Sequence, residues 1–412
     1  MTEGDAPKPP APVSGILEGL RIVEVSAFVA APLGGATLAA MGADVVRVDP
    51  LKGGVDQGRW PVFGGRSLYW DGLNRGKRSV AVDLDSKAGR ELVSRLITAP
   101  GEGGGFLLTN LAGRDWISHS ALSELRPDVI VVQIEGNRDG TPAVDYTVNA
   151  ATGFAWVTGP ETETGPTNHV LPAWDCMTGY LAATALLAAE RHRSRTGKGQ
   201  LVQISLPDVA LAVASHLGLL AEAQLEPEPH PRLGNDIFGS FGRDFRTADR
   251  RFVMVVALTR RHWQALIEAT GLESEIAELE QQLGVDLGEE GNRYLNRRPL
   301  VRLLQTWFAA RDLAEVSSRL RSSHCLWGPY QTFKELLDSD SRSSPGSVLE
   351  TVDQPGLGPL LVAGLPLRFG AGGGVPPAPA PSLGQHTAEV LEERLELSAH
   401  ELTALRQKGV IA

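Results

Sequence analysis

Cysteine is nearly absent. Cys176 and Cys325 are the only two in 412 residues, too few for a disulfide framework. They form no CxxC pair, and none of the nine histidines sits in an HExxH, so the usual zinc-ligand spacings are missing and no metal is expected. Long apolar runs are missing too, since nothing approaches the roughly 18 uninterrupted residues of a membrane span. Residues 1–14 (MTEGDAPKPPAPVS) are Pro-rich and polar, without the apolar centre of a signal peptide. A disordered tail and a cytoplasmic location are therefore expected. Basic residues are the minority, 39 against 49 acidic ones, for a formal net charge of −10. That balance argues against nucleic-acid or membrane partners, which select an excess of Lys and Arg. An anionic small molecule would have to be held by a local basic cluster.

The common nucleotide and hydrolase signatures are also lacking. The turn after the first expected strand reads Val29-Ala-Ala-Pro-Leu-Gly-Gly35, without the GxGxxG that lets a backbone approach a pyrophosphate. Pro32 removes a donor there, although Asp49 ends the next strand, where a nicotinamide enzyme would hold its ribose. No GxxxxGK[ST] and no GxSxG occurs, so a Walker-type site and a nucleophile elbow are unsupported.

What the chain does contain is alternation. Residues 20–25 (LRIVEV), 44–49 (DVVRVD), 79–84, 105–110 and 129–134 read as strands, with helices over 34–41 and 86–98. Strands alternating with helices imply βαβ units and a mostly parallel sheet covered on both faces, a doubly wound α/β fold. A long, apolar helix over 175–193 follows, with Leu181, Ala185 and Ala188 at helical spacing, ending at Thr196-Gly-Lys-Gly199. Then come a strand over 201–205 and a helix over 208–222. The Pro-rich stretch 226–231 (EPEPHP) marks a domain boundary. Beyond it a strand over 252–258 and helices near His262, Leu300 and Ala314 make a smaller α+β domain. After Gly328-Pro329 come one helix, a Gly- and Pro-rich loop over 356–381, and a helical pair over 387–407.

Three places carry chemistry. Asn74-Arg-Gly-Lys-Arg-Ser79 puts three cations within four residues before a strand; it reads either as a solvated loop or as a phosphate grip. Asp175 opens the long helix, where it serves either as an N-cap or as an ionised nucleophile toward an acyl carbonyl. Cys176 is a rival nucleophile, because a helix N-terminus lowers a thiol pKa, or a packing residue. His169 lies six residues upstream of Asp175 in a loop.

These residues resemble the class III CoA-transferases. The resembling stretches are 19–23 (GLRIV), 42–46 (GADVV), 74–84 (NRGKRSVAVDL), 175–191, 196–200 (TGKGQ) and 383–387 (LGQHT), in order over nearly the whole chain after Gly15. The resemblance implies a Rossmann-like large domain (15–225, completed by 329–412), a small domain over 232–328, and an interlocked homodimer. It implies no permanently bound cofactor, with a CoA thioester and a dicarboxylate as substrates. The family's nucleophilic aspartate falls on Asp175, and its CoA contacts fall on Val29, Ala30, Asn74, Lys77, Arg78, Asn110 and Leu111. The racemase branch carries a histidine where this chain has Val144, so two-base racemisation is not implied. Where the formyl-CoA branch carries glutamine and arginine, this chain has Val29 and Pro50.

Narrower stretches, 26–35, 138–140 with 144–149, 168–175 (NHVLPAWD), 189–193 and 241–245 (FGRDF), resemble the family branch that moves CoA between the two carboxyls of one mesaconate. That resemblance implies an intramolecular transfer through an aspartyl-CoA thioester; transfer between two different acids is the alternative. The free carboxylate then needs a cation, with Arg138, His169 and Arg243 as candidates, and Arg138 and Arg243 also read as salt-bridge residues. N–H groups near Gly136 or at the helix start after Asp175 are expected to meet the tetrahedral oxyanions.

Overall fold

The computed structural model describes residues 15–111, 113–338, 347–370 and 373–412. The tail expected over 1–14 lies outside them. The chain divides into two compact units. One comprises the described residues up to Thr152, Val170–Leu220 and those after position 346; the other comprises Gly153–His169 and the described residues of Ala221–Ser344. The first expected domain segment, 15–225, thus loses Gly153–His169 and residues 221–225 to the smaller unit.

The larger unit is built on a six-stranded sheet. Its strands are β1 (Arg21–Val25), β2 (Asp44–Pro50), β3 (Arg78–Val82), β4 (Phe106–Thr109), β5 (Ile130–Glu135) and β6 (Gln200–Ser205). Every pairing is parallel, in the order β3-β2-β1-β4-β5-β6. The order reverses between β1 and β4, which opens a crevice at the carboxyl ends of those strands, the usual ligand position in doubly wound sheets. The strand interiors are Val, Ile and Leu because helices cover both faces.

Two glycine contacts set the helices over this crevice. α1 (Ala30–Ala40) starts four residues earlier than the sequence reading, and it crosses the long helix over Ala173–Thr196. A Cβ on Gly179 would lie 2.7 Å from the Ala30 carbonyl oxygen, so only glycine allows that backbone approach. On Gly35 a Cβ would lie 1.8 Å from Glu24 Oε2. The glycines of the first turn therefore serve packing over a buried carboxylate, not a pyrophosphate.

The chain end closes the sheet's β3 edge. Asp83 donates its N–H to the Val410 carbonyl, Ser79 N–H donates to His386 Nδ1, and Ala81 N–H to Thr387 Oγ1. Val390, Leu391, Leu402 and Ile411 join the core beneath. The helical pair Thr387–Leu395 and Ala399–Gln407 that brings them there matches the sequence reading.

Several expected elements differ. The long helix buries Ala182, Ala183, Leu186 and Ala189, while Leu181 and Ala188 face solvent. Its uniformly apolar sequence hid which stripe is inward. The helix read over 208–222 breaks at Gly218 (φ 82°) into Leu206–His216 and Leu219–Leu225. The loop read from residue 356 begins as a hairpin strand, Gly358–Ala363, pairing with Leu349–Gln354.

The smaller unit has a three-stranded antiparallel sheet of Phe241–Arg246, Phe252–Ala257 and Leu326–Pro329. The first of these strands escaped sequence reading because Arg243 and Asp244 interrupt its apolar pattern. Five helices between Arg260 and Ser322 cover the sheet, more than the three expected. Phe245 stacks on Phe308 at 4.4 Å in their shared core.

Candidate active site

Asp175 stands on the first turn of the helix Ala173–Thr196, and the local sequence cannot cap that turn. Pro172 occupies the N-cap without a side-chain acceptor, and Ala173 follows it. The acceptor comes from the helix Asp145–Ala151, where Asp145 Oδ2 accepts the N–H of Trp174 at 2.8 Å and of Asp175 at 3.2 Å. The Trp174 indole donates to Asn149 Oδ1 at 3.3 Å and fastens the same two helices. Asp145 is 1% exposed, with Oδ1 lacking a hydrogen-bond partner among the described residues.

The cap reading of Asp175 is thereby corrected. Asp145 does the capping, and Asp175, third in the helix, keeps its carboxylate out of the cap. The expectation that the helix start would favour ionisation also fails. Burial first, and the Asp145 charge second, push the Asp175 pKa up to about 6, with Arg59 pulling the other way. The carboxyl is still mostly ionised at neutral pH, but raised in energy and basic. Cys176 moves the same way: burial and then the Asp175 and Asp145 charges raise its thiol pKa, which disfavours the thiolate. The oxyanion donors expected at this helix start are engaged too, since Cys176 N–H bonds the Pro172 carbonyl and the two before it bond Asp145. At Gly136 the close passage of the 141–143 segment, 2.4 Å from a would-be Cβ, explains the glycine.

Tyr69 belongs to the same neighbourhood. Its half-buried phenol is pushed up to about 12, by burial foremost, against the pull of Arg59 and with a push from Asp175. It remains a protonated donor at any working pH. Arg59 lies 5.2 Å from the Tyr69 ring centre and 5.4 Å from that of Phe28. Sequence reading missed both Arg59 and Tyr69; the only signal was an arginine amid aromatics over residues 59–70.

The basic stretch Asn74–Arg78 is not an open phosphate grip. Lys77 is 3% exposed; its Nζ meets Glu24 Oε2 at 2.9 Å, the Pro32 carbonyl at 2.8 Å and Asn74 Oδ1 at 2.9 Å. Asn74 is buried and donates to the Trp70 carbonyl. Arg78 starts β3, at the end of the sheet away from the crevice, and pairs with Asp44, Glu389 and Glu393. Each of the three polar heads is thus engaged within the chain.

The crevice itself is a cleft of about 360 Å³ lined by Ser26, Ala27, Asp49, Leu51, Lys52, Leu111 and Arg114, among others. Asn110 staples its floor, accepting Ala27 N–H at 2.9 Å and donating back to the Ala27 carbonyl at 2.6 Å. Val29 and Ala30 are buried at the start of α1 and offer only backbone. Asp49 turns away from a ribose position, since Oδ1 takes both Nε and Nη2 of Arg47. Lys52 and Arg114 are exposed on the rim and form no ion pair among the described residues.

The expected carboxylate-holding residues are dispersed. Arg138 is exposed and ion-paired with Asp208. Arg243 belongs to the smaller unit and pairs with Asp236 at 3.1 Å. His169 is half-buried and also falls in the smaller unit. No group of three or more His, Cys, Asp or Glu placed to hold a metal occurs among the described residues, and no single helix there is long and apolar enough to cross a membrane.

A doubly wound parallel sheet thus carries, at a helix start, a destabilised aspartate whose carboxylate forms no hydrogen bond among the described residues. The chain belongs to the CoA-transferase family III, whose model matches residues 17–387, and it is a class III CoA-transferase. It is 49% identical over 403 residues to the 2-methylfumaryl-CoA isomerase of Chloroflexus aurantiacus, across 97% of this chain and 98% of that protein. A succinyl-CoA:mesaconate CoA-transferase of Haloarcula hispanica is 29% identical, across 92% of this chain and 96% of that one. The fold matches the crystal structure of a CAIB/BAIF family protein from Brucella suis with a TM-score of 0.76 at 24% identity, covering 92% of this chain and 99% of that chain.

Proposed function

We propose that this enzyme moves CoA within one molecule, interconverting 2-methylfumaryl-CoA and 3-methylfumaryl-CoA through a thioester on Asp175. The observation that carries the chemistry is the Asp175 carboxylate, half-buried, held by its backbone to Asp145 and left without a hydrogen-bond partner of its own among the described residues. The choice of acid rests on the similarity to the Chloroflexus isomerase.

Asp175 attacks the C1 thioester carbonyl, giving a mixed anhydride and a CoA thiolate. The thiolate then attacks the aspartyl carbonyl, which frees mesaconate and leaves CoA on Asp175. Mesaconate turns and attacks that thioester through its C4 carboxylate, regenerating an anhydride and the thiolate. Attack of the thiolate on the C4 carbonyl gives the product and restores Asp175. No step needs a proton or a bound cofactor, and a covalent nucleophile divides one hard exchange into four easier ones. A raised pKa suits this role, since a more basic carboxylate is the stronger nucleophile while still ionised at pH 7. Anhydrides hydrolyse, so the partial burial of Asp175 matters for exclusion of water. The protonated Tyr69 phenol is the donor available to the oxyanions.

For CoA, the reading keeps Val29, Ala30, Asn110 and Leu111 at the crevice, and gives its phosphates to Lys52 and Arg114 in place of Lys77 and Arg78. A cytoplasmic homodimer completes it; light scattering of the purified enzyme tests the dimer.

The deciding experiment incubates the enzyme with 2-methylfumaryl-CoA and no added acid, resolves the two CoA regioisomers by chromatography, and repeats with labelled free mesaconate. Formation of the C4 isomer without label uptake is expected. Label uptake would favour transfer between separate acids, the reading that similarity to the Haloarcula enzyme supports. No isomer would discard the proposal.

A further inference from the structure

Every isomer in this reaction carries one carboxylate that is not reacting, and during the turn-round both ends of mesaconate are anionic. The known anions nearby make that state worse, because Asp145 sits buried at the Asp175 backbone. Retention of a dianion there demands a cation. Most arginines of the larger unit are already occupied. Arg47 is buried among Glu24, Asp49 and Asp56, Arg66 pairs with Asp71, Arg78 with Asp44, Arg126 with Asp128, and Arg138 with Asp208.

Arg59 differs. Its side chain is exposed and forms no ion pair among the described residues, and its guanidinium lies against two aromatic rings at 5.2 and 5.4 Å. Such contacts hold the planar head by its face, and leave its N–H edges for a carboxylate. The aromatic support is itself fixed. Phe28 adopts a left-handed backbone (φ 64°), costly for a phenylalanine, and its N–H bonds Asp56 Oδ2 at 3.0 Å. Asp56 is in turn buried and held by Arg47. A strained residue tied to a buried network is an expensive way to support an ordinary surface arginine.

We infer that Arg59 binds the substrate's free carboxylate: its guanidinium, backed by Tyr69 and by Phe28 just past the carboxyl end of β1, holds whichever end of the dicarboxylate is not reacting. This rests on the dicarboxylate reading above. The planar fork can take a carboxylate bidentately, so one residue serves the C1 and C4 ends in turn. The same contact makes the enzyme select dicarboxylate over monocarboxylate thioesters.

The test compares Arg59→Gln and Arg59→Lys with the unaltered enzyme, using 2-methylfumaryl-CoA as substrate and crotonyl-CoA, which lacks the second carboxylate, as competitive inhibitor. Arg59→Gln should raise KM for the dicarboxylate thioester by about 10- to 100-fold, the loss of a charge-assisted bidentate contact. Its inhibition constant for crotonyl-CoA and its melting temperature should stay unchanged. Arg59→Lys, which keeps the charge and loses the fork, should fall between. An unchanged KM, or an equal loss toward both thioesters, would overturn the assignment while leaving the isomerase reading intact. An unaltered enzyme that forms no C4 isomer would sink the isomerase reading, and this inference with it.

Discussion

Two groups of charges are withdrawn from water in the larger unit, and the chain treats them oppositely. In the first, Arg47 and Lys77 face Glu24, Asp49 and Asp56, all at most 3% exposed, with ion pairs of 2.9 to 3.4 Å. Ser26 adds a hydrogen bond to Glu24. In the second, Asp145 and Asp175 have the same sign, and the opposing charge felt by Asp175 is that of the exposed Arg59. Charge faced by opposite charge becomes scaffold, since two cations among three carboxylates make its burial tolerable. Charge left uncompensated stays high in energy and reactive. The difference separates structure from chemistry more surely than residue type does.

The contrast predicts opposite responses to removing one charge. Asp175→Asn should lower isomerisation at least ~10³-fold, as loss of a covalent nucleophile does, while the melting temperature holds or rises because repulsion from Asp145 disappears. Regioisomer chromatography and a thermal melt check the two halves together; a loss of fold would refute the division. Lys77→Met leaves three buried carboxylates with Arg47 as their remaining cation in a dry site and should cost about 3–5 kcal/mol of stability, read by urea unfolding. If Lys77 were a CoA contact instead, CoA affinity would fall with stability intact.

Sequence patterning alone reached the parallel sheet, because strands buried on both faces are short apolar runs between helices. Position within the family resemblance reached Asp175. Neither reached the two charge groups. Lys77 looks exposed beside Gly76 and Arg78, and its burial depends on Glu24, 53 residues away. A signal did exist, for Glu24 and Arg47 each sit between two valines inside a strand, VEV and VRV, where a charge must find a buried partner. Asp145 was harder. It caps a helix 29 residues downstream, and the capping vacancy shows only as Pro172-Ala173 preceding a helix without its own Ser, Thr, Asp or Asn. Arg59 is marked only by the aromatics that follow it in sequence, and one of the two rings it lies against, Phe28, is 31 residues away.

Asp145→Asn sharpens the second group by keeping the cap and deleting the charge. An asparagine oxygen can still accept the Trp174 N–H, so stability should change by less than about 1 kcal/mol. With the repulsion gone, the Asp175 pKa drops from about 6 toward the ordinary carboxylate range. Activity requires the ionised form, so the unaltered enzyme should gain kcat/KM as pH rises through about 6, and the variant's rise should come at lower pH. The stability sign is opposite. A carboxyl whose folded pKa lies above its unfolded value binds more protons when folded, so its contribution declines as pH rises from about 4 to about 6. A pH–rate profile and melts across that window check both; an unmoved limb would mean that burial alone raises Asp175.

The smallest effect separates two basic places that look alike in sequence. Lys52 and Arg114 rim the crevice and are unpaired among the described residues; Arg78 is engaged with Asp44, Glu389 and Glu393. A phosphate can recruit a solvated lysine at little cost, but must first detach Arg78 from three carboxylates. Lys52→Gln should therefore weaken CoA binding by about 3- to 10-fold, the scale of one exposed charge contact, with the loss shrinking as salt is added. Arg78→Gln should leave CoA affinity where it was and lower the melting temperature instead, since the C-terminal helix that carries Glu389 and Glu393 loses its tie to β3. Calorimetric titration of both variants with CoA at two salt concentrations decides the matter. An Arg78 variant that binds CoA more weakly while melting normally would return the basic stretch to the binding site, and the rule that engaged charges are scaffold would fail at the point where it is easiest to check.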